Sequence, residues 1–326
     1  MDGKFRSGMC RPRACLLMRG GAIGDAVLTL PAVRALRNHW RGTRFCLAGY
    51  PHVCPLFAEA GLVNEFVSLD TARFARLFAA APAWDAEDAA FFGQFDLIVS
   101  WLLDEEGLTA ANLACVCNGR FVSVSPIPRG RHAADALLDA ARLVGAAGPG
   151  APAPLLPLPQ AVMERGRSIA SRFGTRIAVI HPGSGSPKKN WPLERFVRLA
   201  SELDAMGFGP VFLCGPAEAG IAAGHNMLAD YPIVSGLALR DVAGFLASAA
   251  LYVGNDSGIT HLASAVGAPT VAVFGPTDPS VWGPVGSNVR VVRGEGAGHV
   301  LETVGVGMVL DAVRGMLERE SERGKR

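Results

Sequence analysis

The sequence predicts an α/β protein built from two Rossmann-like, doubly wound domains. Short β-branched or apolar runs alternate with helical segments along the chain, which is the sequence form of βαβ units and a parallel sheet. The 326 residues are too many for one ordinary compact domain and enough for two. A proline-rich stretch near the middle cannot be a helix interior or a central strand. Its prolines are Pro149, Pro152, Pro154, Pro157 and Pro159.

Eleven segments are predicted as strands, with the helices between them. In the first half the predicted strands are 14–18, 44–48, 65–69, 95–100 and 120–124. In the second half they are 176–181, 211–214, 233–234, 250–253, 270–274 and 289–292. Apolar residues near helical spacing predict a closing helix over 300–322.

The domain boundaries follow from these elements. The first domain is predicted to cover 1–148 and the second 161–326. The linker between them, 149–160, is expected to be extended and semi-rigid, so that it spaces the two domains and leaves a cleft between them.

The composition argues against several classes of protein. The formal net charge is only +2, so nothing in the total indicates a nucleic-acid partner. The apolar run near the N-terminus is too short for a signal peptide, and no stretch approaches the roughly 18 apolar residues of a membrane helix. Seven cysteines without CxxC or zinc spacing indicate a reducing compartment. We therefore expect a cytoplasmic protein.

Charge is unevenly distributed along the chain. The first 44 residues carry nine Lys or Arg against two carboxylates, whereas residues 85–106 carry seven carboxylates and no Lys or Arg. Such runs are usually a solvated surface. The alternative for the basic stretch is a face that meets an anionic acceptor or, peripherally, the cytoplasmic face of the membrane.

The first segment with chemical potential is a glycine-rich turn between a strand and a helix. Gly20, Gly21 and Gly24 let the backbone turn tightly at the helix N-terminus, where unpaired N–H groups favour anions. Asp25 follows at the helix start. It either complements the helix dipole or caps the first turn, or it is a general base at the edge of the sheet where ligands bind.

Two further segments carry groups suited to a nucleotide. The loop after His181 contains Ser184, Ser186, Lys188 and Lys189, which supply the hydroxyls, amides and ammonium charge that a diphosphate needs. An ordinary polar loop is the alternative. Glu218 follows the next strand, where a carboxylate either accepts hydrogen bonds from ribose hydroxyls or caps a helix.

The most informative segment is the stretch GNDSGITH at residues 254–261. A buried strand ends there, and Ser257 and Gly258 open the next helix. Asp256 suits sugar hydroxyls while the helix N-terminus suits phosphate oxygens. His261 is more often structural than functional in such a position.

These segments resemble the signatures of family 9 glycosyltransferases, which include ADP-heptose:lipopolysaccharide heptosyltransferases. The matching stretches are RGGAIGDAVLTLPAVRALR, HPGSGSPKKNWPLERF and GNDSGITHLASAVGAPTVAVFGPTDP. The resemblance implies a GT-B fold, with the acceptor bound mainly by the first domain and the nucleotide sugar by the second. It also implies an inverting reaction without a metal or another cofactor, in agreement with a sequence that lacks a DxD triplet.

The resemblance also implies roles for individual residues. Asp25 is similar to the general base, and Lys189 to the lysine that contacts the donor phosphates, with Lys188 as the alternative. Glu218 is similar to the carboxylate that holds the ribose, and Leu237 to the side chain that packs on the base. The other implied donor-binding residues are Ser184, Ser186, Asp256, Ser257, Gly258, Ile259 and His261.

The expected function is transfer of heptose from ADP-heptose to a lipopolysaccharide core or related glycan. Two alternatives stay open: a nucleotide-sugar epimerase of the same fold, and a non-catalytic protein that binds nucleotide sugars. An NAD-dependent dehydrogenase is disfavoured because it needs GxGxxG and a carboxylate about 20 residues further on. The corresponding region, 41–45, has none.

Overall fold

A computed structural model describes residues 10–148, 156–215, 218, 226–296 and 300–323. The chain divides into two compact units, residues 1–152 and 153–326. Most of the predicted linker, residues 149–155, lies outside the described residues, as do Lys4 and Arg6 of the basic N-terminal stretch. The described end of the linker is irregular, and its Leu156 N–H donates to the Ala265 carbonyl of the second unit at 2.7 Å.

Unit 1 contains a five-stranded parallel sheet in the order β3-β2-β1-β4-β5. Its strands are β1 Ala14–Met18, β2 Arg44–Gly49, β3 Glu65–Ser68, β4 Leu97–Ser100 and β5 Arg120–Ser123. Its helices are α1 Ile23–His39, α2 Cys54–Glu59, α3 Ala72–Ala75, α4 Ala86–Gly93, α5 Leu108–Ala114 and α6 Ala133–Leu143. β1 is buried throughout, as expected for a central parallel strand with both faces covered. The strand order reverses between β1 and β4, which is where ligands bind in open α/β sheets.

Unit 2 contains a six-stranded parallel sheet in the order β11-β10-β9-β6-β7-β8. Its strands are β6 Ile177–His181, β7 Gly209–Cys214, β8 Ile233–Ser235, β9 Leu251–Asn255, β10 Thr270–Phe274 and β11 Val289–Arg293. Its helices are α7 Gln160–Ala170, α8 Leu193–Ala205, α9 Leu239–Ala247, α10 Gly258–Ala265, α11 Pro279–Trp282 and α12 Val306–Arg323. The order reverses between β6 and β9, so the loops after these two strands meet at the switch point.

The predicted α/β class is confirmed, and each predicted strand has bounds within two residues of an observed one. The closing helix is shorter than predicted, because it begins at Val306 and not at residue 300. Residues Leu301–Thr303 form a separate 3₁₀ turn, and Val304 is extended (φ −74°, ψ 101°). The Val304 carbonyl accepts hydrogen bonds from Trp191 Nε1 at 2.8 Å and Arg195 Nη1 at 2.6 Å. These bonds to the core hold residue 304 outside the helix.

Among the described residues, no helix is both long enough and apolar enough to cross a membrane.

Helices α7 and α9 approach each other through two glycines. A Cβ added to Gly166 would lie 2.0 Å from the Gly244 carbonyl oxygen, and one added to Gly244 would lie 2.4 Å from the Val162 carbonyl oxygen. Such distances are far below van der Waals contact, so only glycine allows this backbone contact.

We expect Gly166→Ala to lower the free energy of unfolding by about 1–3 kcal/mol, because the added methyl group forces the two helices apart. The matched control is Gly315→Ala in α12, where an added Cβ meets nothing within 4 Å. That change should stabilise the protein by up to about 1 kcal/mol, since alanine is the better helix former. Urea denaturation of both variants measures the difference. Equal effects of the two substitutions would contradict the packing argument.

Candidate functional site

The buried Asn255 side chain joins the two strand ends at the switch point of unit 2. Its Nδ2 donates to the Pro182 carbonyl at 2.7 Å, and its Oδ1 accepts the Trp191 N–H at 2.9 Å. Pro182 begins the loop after β6, and Trp191 lies beyond its far end. Asn255 is fully buried and therefore fixes both ends of the loop that carries the predicted phosphate-binding residues. No role is predicted for Asn255 from the sequence, where its place at the end of a buried strand, next to Asp256, is the only available signal.

The structure brings Lys189 and Asp256 together. Lys189 Nζ lies 2.7 Å from Asp256 Oδ2, with the lysine side chain 34% exposed and the aspartate 7% exposed. The buried carboxylate is thus neutralised by an ammonium group that still reaches solvent. Lys188 is exposed and makes no ion pair with a described residue. Of the two lysines that the sequence left open, Lys189 is the one at the switch point.

The Ser184 hydroxyl stabilises the bend of this loop, partly through the backbone of Ser186. Ser184 Oγ lies 2.6 Å from Asn190 Oδ1 and 2.7 Å from the Ser186 carbonyl oxygen. It also accepts the Ser186 N–H at 3.2 Å. The loop then enters a 3₁₀ turn over Pro187–Lys189, which places Lys189 next to the start of α10.

The N-terminus of α10 is organised by a buried hydroxyl network. Ser257 is the N-cap, and its Oγ accepts the Thr260 N–H. Thr260 Oγ1 donates to the Asn255 carbonyl and lies 2.9 Å from the Tyr252 hydroxyl. Burial raises the pKa of Tyr252, so this phenol stays protonated and can serve as a donor in the network. Gly258 and Ile259 are half-buried and His261 is buried.

Glu218 lies at the carboxyl end of the neighbouring strand β7. It is 4% exposed, and its Oε2 accepts the Gly215 N–H at 2.8 Å. It packs so closely on the loop after β6 that a Cβ added to Gly183 would lie 1.9 Å from Oε1. Behind it, His181 Nδ1 donates to the Leu213 carbonyl at 2.9 Å. Burial lowers the pKa of His181, against the opposing influence of this hydrogen bond and of Glu218. The imidazole therefore stays neutral.

The predicted donor-binding residues lie along one edge of the unit 2 sheet. Asp256 follows β9, the Ser184–Lys189 loop follows β6, Glu218 follows β7 and Leu237 follows β8. These four strands are consecutive neighbours, β9-β6-β7-β8. With strands about 4.8 Å apart, the row extends over roughly 14 Å. Leu237 is half-buried at the end of the row opposite Asp256.

Asp25 lies at the corresponding switch point of unit 1. Its Oδ2 accepts the Ala22 N–H at 2.9 Å, and its Oδ1 lies 3.2 Å from Arg19 Nη2. Gly21 has φ +95°, and a Cβ there would lie 2.6 Å from Asp25 Oδ2. Gly21 therefore adopts a left-handed conformation and leaves room for the carboxylate. Gly24, predicted as part of this turn, lies instead in the first turn of α1.

Arg19 contacts Asp25 from the interior of unit 1 and holds it in place. The Arg19 side chain is 7% exposed, and its guanidinium also donates to the Trp101 carbonyl at 3.2 Å. Burial lowers the pKa of Arg19, and the neighbouring Asp25 opposes this shift. The Asp25 side chain is 36% exposed, so the carboxylate is held by a buried cation and remains accessible to a ligand. Its capping contact and its accessibility fit both interpretations of the sequence.

Comparison with known proteins places the chain among sugar transferases. A family model described as Glycosyltransferase family 9 (heptosyltransferase) matches residues 132–303. Lipopolysaccharide heptosyltransferase 2 of Escherichia coli K12 is 33% identical over 116 residues, which are 33% of this chain and 33% of that protein. The aligned part thus covers a third of the length of this curated relative.

Two solved structures share the fold over nearly the whole chain. A family 9 glycosyltransferase from Veillonella parvula has a TM-score of 0.77 and 18% identity, covering 94% of this chain and 98% of that one. ADP-heptose lps heptosyltransferase II of E. coli has a TM-score of 0.74 and 17% identity, covering 94% and 99%. At these identities the likeness shows the fold.

We expect Asn255→Ala to lower the free energy of unfolding by about 2–5 kcal/mol, because it leaves the buried Pro182 carbonyl and Trp191 N–H unpaired. Urea denaturation measures the loss. The control is Asn118→Ala, at an exposed asparagine in unit 1, which should change stability by less than about 0.5 kcal/mol. A similarly small effect at both positions would show that Asn255 does not hold the loop.

Proposed function

Because this chain belongs to glycosyltransferase family 9, we propose that it transfers a sugar from a nucleotide diphosphate to a glycan hydroxyl. The proposed donor is ADP-heptose, and the proposed acceptor is a lipopolysaccharide core or a related glycan. One observation carries the proposal. The order of groups along the unit 2 sheet edge, from Asp256 through Lys189 and Glu218 to Leu237, is the order of sugar, diphosphate, ribose and base in a nucleotide sugar.

The donor side of the mechanism follows from this order. The free N–H groups at the start of α10 and the Lys189 ammonium bind the diphosphate oxygens. As the bond between the sugar and the phosphate breaks, negative charge grows on the leaving phosphate, and Lys189 stabilises it. Asp256 Oδ2 already holds Lys189 at 2.7 Å, so the ammonium is positioned before the donor arrives. We propose that this lysine and the amides suffice without a metal ion.

On the acceptor side of the mechanism, Asp25 is the proposed general base. Its carboxylate takes the proton from the acceptor hydroxyl while the oxygen attacks the anomeric carbon from the face opposite the leaving phosphate. This single displacement inverts the configuration at that carbon. Arg19 holds Asp25 by the paired oxygen and by two hydrogen bonds to the Asp25 carbonyl, at 3.2 and 3.3 Å. The carboxylate orientation is therefore set before the acceptor binds.

A cytoplasmic location with a peripheral contact to the membrane face also belongs to this proposal. Support comes from the described part of the basic N-terminal stretch. Arg11 and Arg13 are exposed, and the Arg13 side chain is 92% exposed although it lies 3.5 Å from Asp96. Exposed arginines attract anionic lipid headgroups.

We expect Lys189→Ala to weaken ADP binding about 10- to 100-fold, because it removes a charge-assisted contact to phosphate and leaves Asp256 unpaired beside it. Lys188→Ala is the matched control and should change the affinity less than about threefold. Calorimetric titration with ADP, UDP and GDP in EDTA measures both variants and identifies the preferred base. Binding that requires a divalent cation would contradict metal independence, and a stronger effect at Lys188 would reverse the lysine assignment.

We expect Asp25→Asn to reduce the rate of sugar transfer by about 10²- to 10⁴-fold, because the amide cannot accept the acceptor proton. ADP affinity should stay unchanged, since Asp25 lies in the other unit. Glu106→Gln, at an exposed carboxylate of unit 1, is the control and should retain full activity. The measurement is transfer of heptose from ADP-heptose to a lipopolysaccharide core acceptor.

The same assay separates the two alternative functions. An epimerase would convert the free donor when no acceptor is present. A protein that only binds nucleotide sugars would bind ADP, but neither the unchanged protein nor Asp25→Asn would transfer heptose. Undiminished transfer by Asp25→Asn would leave the family assignment intact and remove the proposed base.

A further inference from the structure

Unit 1 contains a pocket at the carboxyl edge of its sheet. Of the candidate site residues named above, Gly20 alone lines it. Its volume is about 550 Å³, which is within the usual range for a small-molecule site. Its wall contains Gly20, Tyr50, Leu69 and Leu102, which lie one or two residues beyond the ends of β1, β2, β3 and β4. The pocket therefore lies at the edge where open parallel sheets bind ligands.

The pocket borders the turn that carries the proposed base. Gly20 lines it, and an added Cβ at Gly20 would lie 3.5 Å from Leu102 and 4.0 Å from Leu69. The next residue, Gly21, lies against the Asp25 carboxylate. A molecule in the pocket would thus contact the turn that holds Asp25.

Apolar and aromatic side chains dominate the pocket wall. Phe78 and Leu103 belong to it although they are 43% and 47% exposed. Two large hydrophobic residues exposed on one pocket indicate a surface that a ligand covers. Tyr50 adds a half-buried aromatic ring, and such rings stack against the C–H face of a sugar while the phenol offers a hydrogen bond.

The charge of the pocket argues against an anionic ligand. Asp70 is the one charged side chain among the described residues that line it. The nearby arginines of the wall segment 72–78 are occupied elsewhere. Arg73 Nε lies 2.7 Å from Asp88 Oδ1, and its guanidinium stacks 4.4 Å from the Phe91 ring. Arg76 forms ion pairs with Asp85 and Asp88.

We propose that this pocket binds an uncharged sugar of the acceptor, one with an exposed apolar face, and that it excludes acidic sugars. The proposal rests on the proposed function, since it names the class of acceptor that Asp25 would deprotonate. It narrows the acceptor from any unit of a glycan core to a neutral one. An acidic sugar would bring its carboxylate close to Asp70 with no available cation from the wall, and that arrangement is repulsive.

The test uses a matched pair of probes, phenyl β-D-glucopyranoside and phenyl β-D-glucuronide, which differ by a carboxylate. Both are titrated into the full-length protein with ADP present, and binding is followed by saturation-transfer NMR. We expect the neutral glycoside to bind about five- to tenfold more tightly than the acidic one. Asp70→Asn should reduce this difference, because it removes the repelling charge. Equal or tighter binding of the glucuronide would overturn the proposal, as would failure of both probes to bind at millimolar concentration.

Two phenylalanine variants locate the probe. Phe78→Ala should weaken the neutral glycoside roughly three- to tenfold, because the ring lines the pocket. Phe66→Ala is the control: Phe66 is 41% exposed on β3 and lies outside the lining, so affinity should not change. Equal losses in the two variants would place the probe elsewhere and overturn the assignment.

An ADP titration of the same samples separates this proposal from the proposed function. If ADP fails to bind while Phe78→Ala still weakens the glycoside, the pocket assignment stands and the transferase proposal fails. If ADP binds and heptose is transferred but the probes do not prefer the pocket, the transferase proposal stands and the neutral-acceptor inference is wrong.

Discussion

The candidate donor site depends on the buried side chain of Asn255. One amide group donates to the start of the loop after β6 and accepts from the N–H beyond its end. A carboxylate only accepts and an ammonium only donates, whereas the amide carries a donor on one atom and an acceptor on the other. Because Asn255 holds both ends of this loop, Lys189 lies next to Asp256. For the same reason the chain continues from the loop into the buried Trp191. Trp191 in turn donates to the Val304 carbonyl and so connects the loop to the start of the closing helix.

Both units pair a carboxylate with a cation at the switch point of the sheet. Each places a carboxylate there, and each supplies one cation to it: Arg19 for Asp25 and Lys189 for Asp256. The burial pattern differs between the pairs. In unit 1 the cation is buried and the carboxylate is accessible, whereas in unit 2 the carboxylate is buried and the cation is accessible. An accessible carboxylate suits a base that receives a proton, and an accessible ammonium suits a phosphate. The proposed roles of Asp25 and Lys189 agree with this exposure.

In unit 1 the structure shows which charged side chains neutralise one another. Arg73 and Arg76 both pair with Asp88, which is 3% exposed, and they also pair with Glu87 and Asp85 respectively. This network consumes the cations of the segment 72–78 and leaves its apolar side to the pocket. The acidic stretch 85–106 therefore contributes more than a solvated surface, because part of it neutralises arginines beside the pocket of unit 1. A linear charge count cannot show this, since it does not tell which groups neutralise each other.

The sequence by itself determined the fold class, the eleven strands and the segments in which the candidate site residues lie. Local periodicity and glycine or proline punctuation suffice for these, because they act over a few residues. It also brought Lys189, Asp256 and Asp25 into consideration through family signatures. Only the tertiary structure decided that Lys189 and not Lys188 reaches Asp256, that Asn255 holds the loop, and that the closing helix begins at Val306. Each of these depends on partners 60 or more residues away along the chain, and no local pattern encodes which distant group a side chain will meet.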